Sequence, residues 1–154
     1  MKHPEIAEQL SKMRQRDQLN MRVYSDELKK IDLENAKLLA EIIKQIGYPT
    51  ISKVGAYASY GAWLIIQHMD DIETARGYYR MMIEAKDDVL AENLAYLEDK
   101  LLLAEGKKQR YGTRVRLVNG VYEPLPVEDV DKLDERRASV GLEPMSEYLK
   151  GFEE

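Results

Sequence analysis

The chain has 154 residues, 44% of them apolar and 33% charged, which suits one ordinary globular domain with a real core. Its 28 acidic and 23 basic side chains leave a net charge of −5, so general nucleic-acid binding, which needs concentrated Lys and Arg, is not expected. The absence of cysteine excludes disulfides, thiolate nucleophiles and Cys-held metals, and two histidines are too few for a multi-histidine centre.

The amino terminus, Met1-Lys2-His3-Pro4-Glu5, has no apolar run and reads as neither a signal nor a transit peptide. The longest apolar stretch, Val54 to Ile66, is too short and too interrupted by Gly and Ser to span a bilayer. A cytoplasmic protein is the expectation. Periodicity predicts five main helices. In the first, Ile6, Leu10, Met13, Met21, Tyr24 and Leu28 recur at spacings of three and four, with Asp17 filling the one gap and a break near Ser25-Asp26. The second covers about Leu33 to Ile46, turns Leu38, Leu39, Ile42, Ile43 and Ile46 inward, and ends at Gly47 and Pro49.

Thr50 or Ser52 caps the third helix, which runs to about His68. Its near-continuous apolar sequence predicts burial on all sides, and Gly55, Ala58, Gly61 and Ala62 leave room for close neighbours. The fourth starts at an Asp70-Asp71 cap and buries Ala75, Tyr79, Met82 and Ile83. The fifth follows Leu90, Leu94, Leu97 and Leu101 and stops at Gly106. Beyond Gly112 two short β-type runs flank Asn119-Gly120, the signature of a type I′ hairpin, here 114–125. A helical tail, 127–154, has short helices around Asp129–Ser139 and Ser146–Gly151. The expected fold is mainly α: a single-domain helical bundle of about five main helices with a short β-hairpin near the carboxyl-terminal third.

Two polar positions stand out against this frame. Asp17 interrupts an apolar stripe, and a carboxylate there costs several kcal/mol unless a partner or a site compensates it. His68 is the one histidine within the predicted helices, placed where the buried third helix meets the cap of the next. Imidazole at a helix carboxyl end beside acids is suited to proton transfer near neutral pH. Gln67-His68-Met69-Asp70 also contains the one candidate pair for a divalent metal, His68 and Asp70, although the Glu-x-x-His pairs of dinuclear bundles are missing. No other cofactor is predicted. Gln109-Arg110-Tyr111-Gly112-Thr113 forms a polar exit from the fifth helix, with Gly112 permitting a sharp turn. There is no phosphate-binding Gly loop and no nucleophile elbow.

These residues carry a family resemblance. Asp17-Gln18 with Arg22, Gly47-Tyr48-Pro49, Ala62-Trp63-Leu64-Ile65, Gln67-His68-Met69-Asp70, Gln109-Arg110-Tyr111-Gly112-Thr113 and Asp134-Glu135-Arg136-Arg137 resemble the pattern of an uncharacterised bacterial family, domain of unknown function 6624. The likeness runs from about Leu10 to Tyr148. The family pattern carries Gln after Tyr-Gly-Thr, where this chain has Arg114. No activity follows from the resemblance, which implicates Asp17, His68 and the Tyr111 turn.

Two functional expectations follow. In the first, a small enzyme performs hydrolysis or group transfer on a small polar molecule or peptide, with His68 as general acid/base and Asp17 or Asp70 orienting it. Gln18, Gln67, Gln109, Tyr111 and Thr113 then contact the ligand, and Arg22 or Arg136 holds an anionic group. In the second, the chain is a non-catalytic binding or protein-interaction module whose polar motifs are buried structural networks. A solvent-reachable cavity lined by the polar residues favours the first; the same residues sealed and bonded to one another favour the second. Oligomeric state is not legible.

Overall fold

A computed structural model describes residues 1–19 and 26–153, the side chains of 17–19 excepted. The chain is mainly α with one antiparallel hairpin, as expected, and the contacts divide it into two compact units, Met1–Val89 and Leu90–Glu154. No linker-like sequence marks the division.

In the first unit the helices are α1 (Pro4–Leu19), α2 (Asp26–Ile46), α3 (Ile51–Val54), α4 (Ala56–Gln67) and α5 (Ile72–Glu84). Pro4 opens α1, where its missing N–H removes no bond, and Ile6, Leu10 and Met13 are buried as their spacing predicts. Met21 and Tyr24 of that stripe lie outside the described residues. α2 starts seven residues earlier than expected. Asp26 and Glu27 complement the helix dipole in its first turn, and the buried line is Ile31, Asn35, Leu39 and Ile42. That line rotates Leu33 and Leu38 outward, against the expectation for Leu38: they are 64% and 39% exposed. The polar Asn35 in the line hid the start of the period.

The predicted third helix is two. Gly55 adopts φ +86° after the single turn of α3, and the chain re-enters helical geometry at Ala56. Thr50 occupies the N-cap position without a side-chain cap bond; the Asp88 carboxylate takes that role, accepting from the Ser52 N–H and hydroxyl. α4 buries Ala58, Ser59, Gly61, Ala62, Trp63, Ile65 and Ile66, while Tyr57 stays about half exposed, so the helix is mostly rather than wholly wrapped. α1 and α4 run side by side in the same direction: the N–H groups of Lys2 and His3 donate to Lys53 O, and further along α1 Leu10 and Arg14 face Gly61. A Cβ on Gly61 would stand 3.1 Å from Arg14 Cβ and 3.2 Å from Leu10 O, which is why a residue without one sits there. α5 is capped by Asp71 as predicted, through Thr74 N–H at 3.1 Å. It buries Ala75 and Met82, but Ile83 is exposed, because the line 75–82 turns position 83 to solvent.

In the second unit, α6 (Ala91–Ala104) buries Leu97 and Leu101, leaves Leu90 exposed just before its first turn, and stops before Gly106 at φ +73°. β1 (Val115–Val118) pairs with β2 (Val121–Pro124) around Asn119 and Gly120, whose φ values of 51° and 79° make the predicted type I′ turn. A single helical turn at Val130–Lys132 leads into α7 (Leu133–Ser139), followed by α8 (Met145–Glu153). Tyr122 of β2 and Tyr148 and Phe152 of α8 form a ring cluster, with centroids 5.6 and 5.1 Å from Phe152. Among the described residues, no helix is long and apolar enough to cross a membrane.

Candidate functional site

Polar side chains of the second unit converge on the turn 109–114 between α6 and the hairpin. Asp99, fully buried on α6, accepts from the N–H of Arg110 (2.8 Å), Tyr111 (3.1 Å) and Thr113 (2.9 Å) and from the Thr113 hydroxyl (2.9 Å). A carboxylate ringed by donors in this way replaces the water it has lost. Gln109, also fully buried, closes the turn on itself. Its Oε1 accepts from Arg114 N–H at 2.8 Å, and its Nε2 donates to Arg114 O and Leu125 O at 3.1 and 3.0 Å. Its own main chain bonds to Pro126 O and Glu128 N–H, tying the turn to the segment after β2.

The carbonyls of the turn are taken from the other side by α7 and α8. Arg136 Nε donates to Arg110 O (2.9 Å), Arg137 Nη1 to Tyr111 O (2.6 Å) and the Tyr148 hydroxyl to Thr113 O (2.7 Å). Gly112 holds φ +65°, a left-handed conformation that favours glycine, and a Cβ there would stand 3.4 Å from Met145 Sδ and Val127 Cγ2, ordinary packing contact. Arg137 is fully buried without a carboxylate. Its Nε donates to Glu143 O at 2.7 Å, its guanidinium lies 4.6 Å from the Tyr148 ring centre, and its Nη2 has no hydrogen-bond partner among the described residues. Burial, and then the charge of Glu98, pushes the Tyr111 hydroxyl above its usual pKa, so it stays a neutral phenol at neutral pH.

On the outer side of α7 lies an open cleft of about 340 Å³, lined by Arg110, Glu128, Asp129, Lys132, Glu135 and Arg136. Arg110 spends its charge on Glu98 and Glu128, both at 3.3 Å. Arg136 is different. Its three bonds all go to main-chain carbonyls, those of Arg110, Asp129 and Glu128, and among the described residues no carboxylate pairs with it. A guanidinium has five N–H donors, so two remain.

The remaining sequence candidates belong to the first unit. His68 is the C-cap residue of α4 and is exposed, as is Asp70; Asp71 beside them is occupied as the α5 cap. Gln67 is half-buried at the last position of α4. Asp17 and Gln18 belong to α1, with side chains outside the described set, and Arg22 lies outside the described residues altogether. Gln109, Tyr111, Thr113 and Arg136 are therefore brought together, by bonds to one another's backbone or to Asp99. The interior setting expected for His68 is not what surrounds it, because the helix ends one residue earlier and leaves the imidazole at the surface. No group of three or more His, Cys, Asp or Glu placed to hold a metal occurs among the described residues.

Sequence reading passed over Asp99, Arg137 and Tyr148. The signal for Asp99 was present: it stands between Leu97 and Leu101 of the leucine line, an acid in an apolar helix, as Asp17 is in α1. Arg137 and Tyr148 carried no such signal, since an Arg-Arg pair and a tail tyrosine ordinarily face water.

Comparison with curated proteins and with solved structures finds no match. The profile of the family of unknown function DUF6624 matches residues 15–154, nearly the whole chain, and on that match the protein belongs to this family.

Proposed function

We propose that the chain is a non-catalytic binding module for a small polar ligand, in which the Gln109–Thr113 motif and the buried Arg137 are structural. The observation that carries this reading is the saturation of the 109–114 turn. Asp99, Gln109, Arg137 and Tyr148 use their polar atoms on its main chain, and general acid/base work needs such atoms free to meet a substrate proton. What the turn offers a ligand is rigidity, which suits a site that must be held in one shape. The cleft beside α7 is the concave, charged surface attached to that rigid part. A bacterial cytoplasm is the compartment we propose, supported by the likeness to a bacterial family.

A turnover screen against esters, amides and phosphoesters tests the reading, run alongside urea unfolding of Thr113→Val and His68→Asn. The module reading expects no turnover, a clear loss of stability in Thr113→Val and little change in His68→Asn. Turnover by the intact chain that His68→Asn abolishes without altering its unfolding would establish the enzyme instead.

A further inference from the structure

The cleft on the outer side of α7 has an unusual charge account. Once Arg110 is assigned to Glu98 and Glu128, two cations, Lys132 and Arg136, and two carboxylates, Asp129 and Glu135, remain around the same hollow without an ion pair among the described residues. A guanidinium usually takes a carboxylate in its fork. Arg136 is instead fixed by three carbonyls, so its orientation is set before any ligand arrives and its two remaining N–H groups are already placed. The Asp129 main chain that accepts from Arg136 sits at φ 44°, a left-handed geometry that Asp tolerates better than most residues.

We infer that this cleft binds a small zwitterion of the α-amino-acid class, its carboxylate on Arg136 and Lys132 and its ammonium on Asp129 and Glu135. Each feature constrains the ligand. Balanced charge disfavours a dianion such as phosphate, which would meet two unpaired carboxylates, and equally disfavours a simple polyamine. A volume of about 340 Å³ is at the small end of the usual range for ligand clefts and suits a single amino acid rather than a large cofactor. Attachment of Arg136 to the carbonyl of Arg110 makes the site continuous with the saturated turn, so the proposal rests on the binding-module reading and names its ligand.

The test is a heteronuclear NMR titration of the full chain with free glycine, glutamate, lysine and phenylalanine, with their N-acetyl and carboxamide forms, and with inorganic phosphate. Saturable shifts of the 128–139 amides by at least one free amino acid are expected, with its two blocked forms weaker by about tenfold or more. Lys132→Ala, which removes an exposed side chain with no ion pair among the described residues, is expected to weaken that binding about tenfold while the unfolding curve is unchanged. Glu135→Gln serves as the second variant and is expected to lose selectivity for the free amine over the acetylated form. The proposal is overturned by no saturable shift from any free amino acid, by an acetylated form binding as tightly as the free one, or by phosphate binding more tightly than both. Any of these outcomes without turnover sinks the ligand assignment and leaves the module reading standing; His68-dependent turnover sinks that reading separately.

Discussion

Two fully buried polar side chains show opposite solutions to the same physical demand. Asp99 has four donors aimed at it, so its charge is replaced bond for bond. Replacement by alanine strands those donors in the interior, and we expect a loss of about 4 kcal/mol by urea unfolding. Asn35, 1% exposed in the apolar line of α2, has no hydrogen-bond partner among the described residues for either end of its amide. Asn35→Leu, close in volume and without polar atoms, is expected to raise stability by about 1–2 kcal/mol in the same assay. A decrease would mean that the amide has a partner such as ordered water. Asp17 was read from the sequence as a polar position in an apolar stripe; Asp99 and Asn35, of the same kind, were passed over. Sequence spacing marks the anomaly but not its resolution, because donors that satisfy Asp99 come from a turn eleven to fourteen residues away.

Helix contacts depend on where backbones can approach. The α1–α4 crossing is set by Gly61, and adding a methyl group there forces Arg14 Cβ or the Leu10 carbonyl to move. Gly61→Ala is expected to lower stability by about 1–3 kcal/mol, even though alanine is the better helix former, and thermal melting will show the sign. If Gly61→Ala instead melts higher, the crossing is looser than described. Small residues in α4 announced this close approach from sequence. The break between α3 and α4 did not announce itself, since Gly55 inside an apolar run reads as a tolerated helix residue until its φ is known. The hairpin was the most readable element: Asn-Gly has few other uses between two β-type runs. The start of α2 was the least readable, since its buried line includes an amide and its exposed face includes two leucines.

Across the molecule, titration should act in both directions. Hydrogen bonds from Ser52 and Thr50 hold the Asp88 carboxyl below its usual pKa of 3.8, and Thr74 does the same for Asp71. A depressed pKa means that the folded form binds a proton less readily than the unfolded chain. The stability from these caps is therefore complete above about pH 4 and is lost as pH falls through the depressed values. Urea midpoints measured from neutrality downward should hold until that point and then drop, with a smaller drop in Asp88→Asn. Tyr48 works the other way. Burial, with no partner for its hydroxyl among the described residues, raises its pKa above the usual 10.0. Its contribution is complete below about pH 10 and disappears above, as tyrosine in the unfolded chain ionises first. Tyr48→Phe should flatten the alkaline limb. None of this was visible in composition: the same net charge of −5 is compatible with any placement of the acids.

The tip of the hairpin, 116–121, faces solvent throughout, and its turn closes on two residues that need no neighbour beyond the strands themselves. Chain inserted between Asn119 and Gly120 would leave the saturated 109–114 network untouched, which makes this the natural graft point for an epitope or a fluorescent reporter.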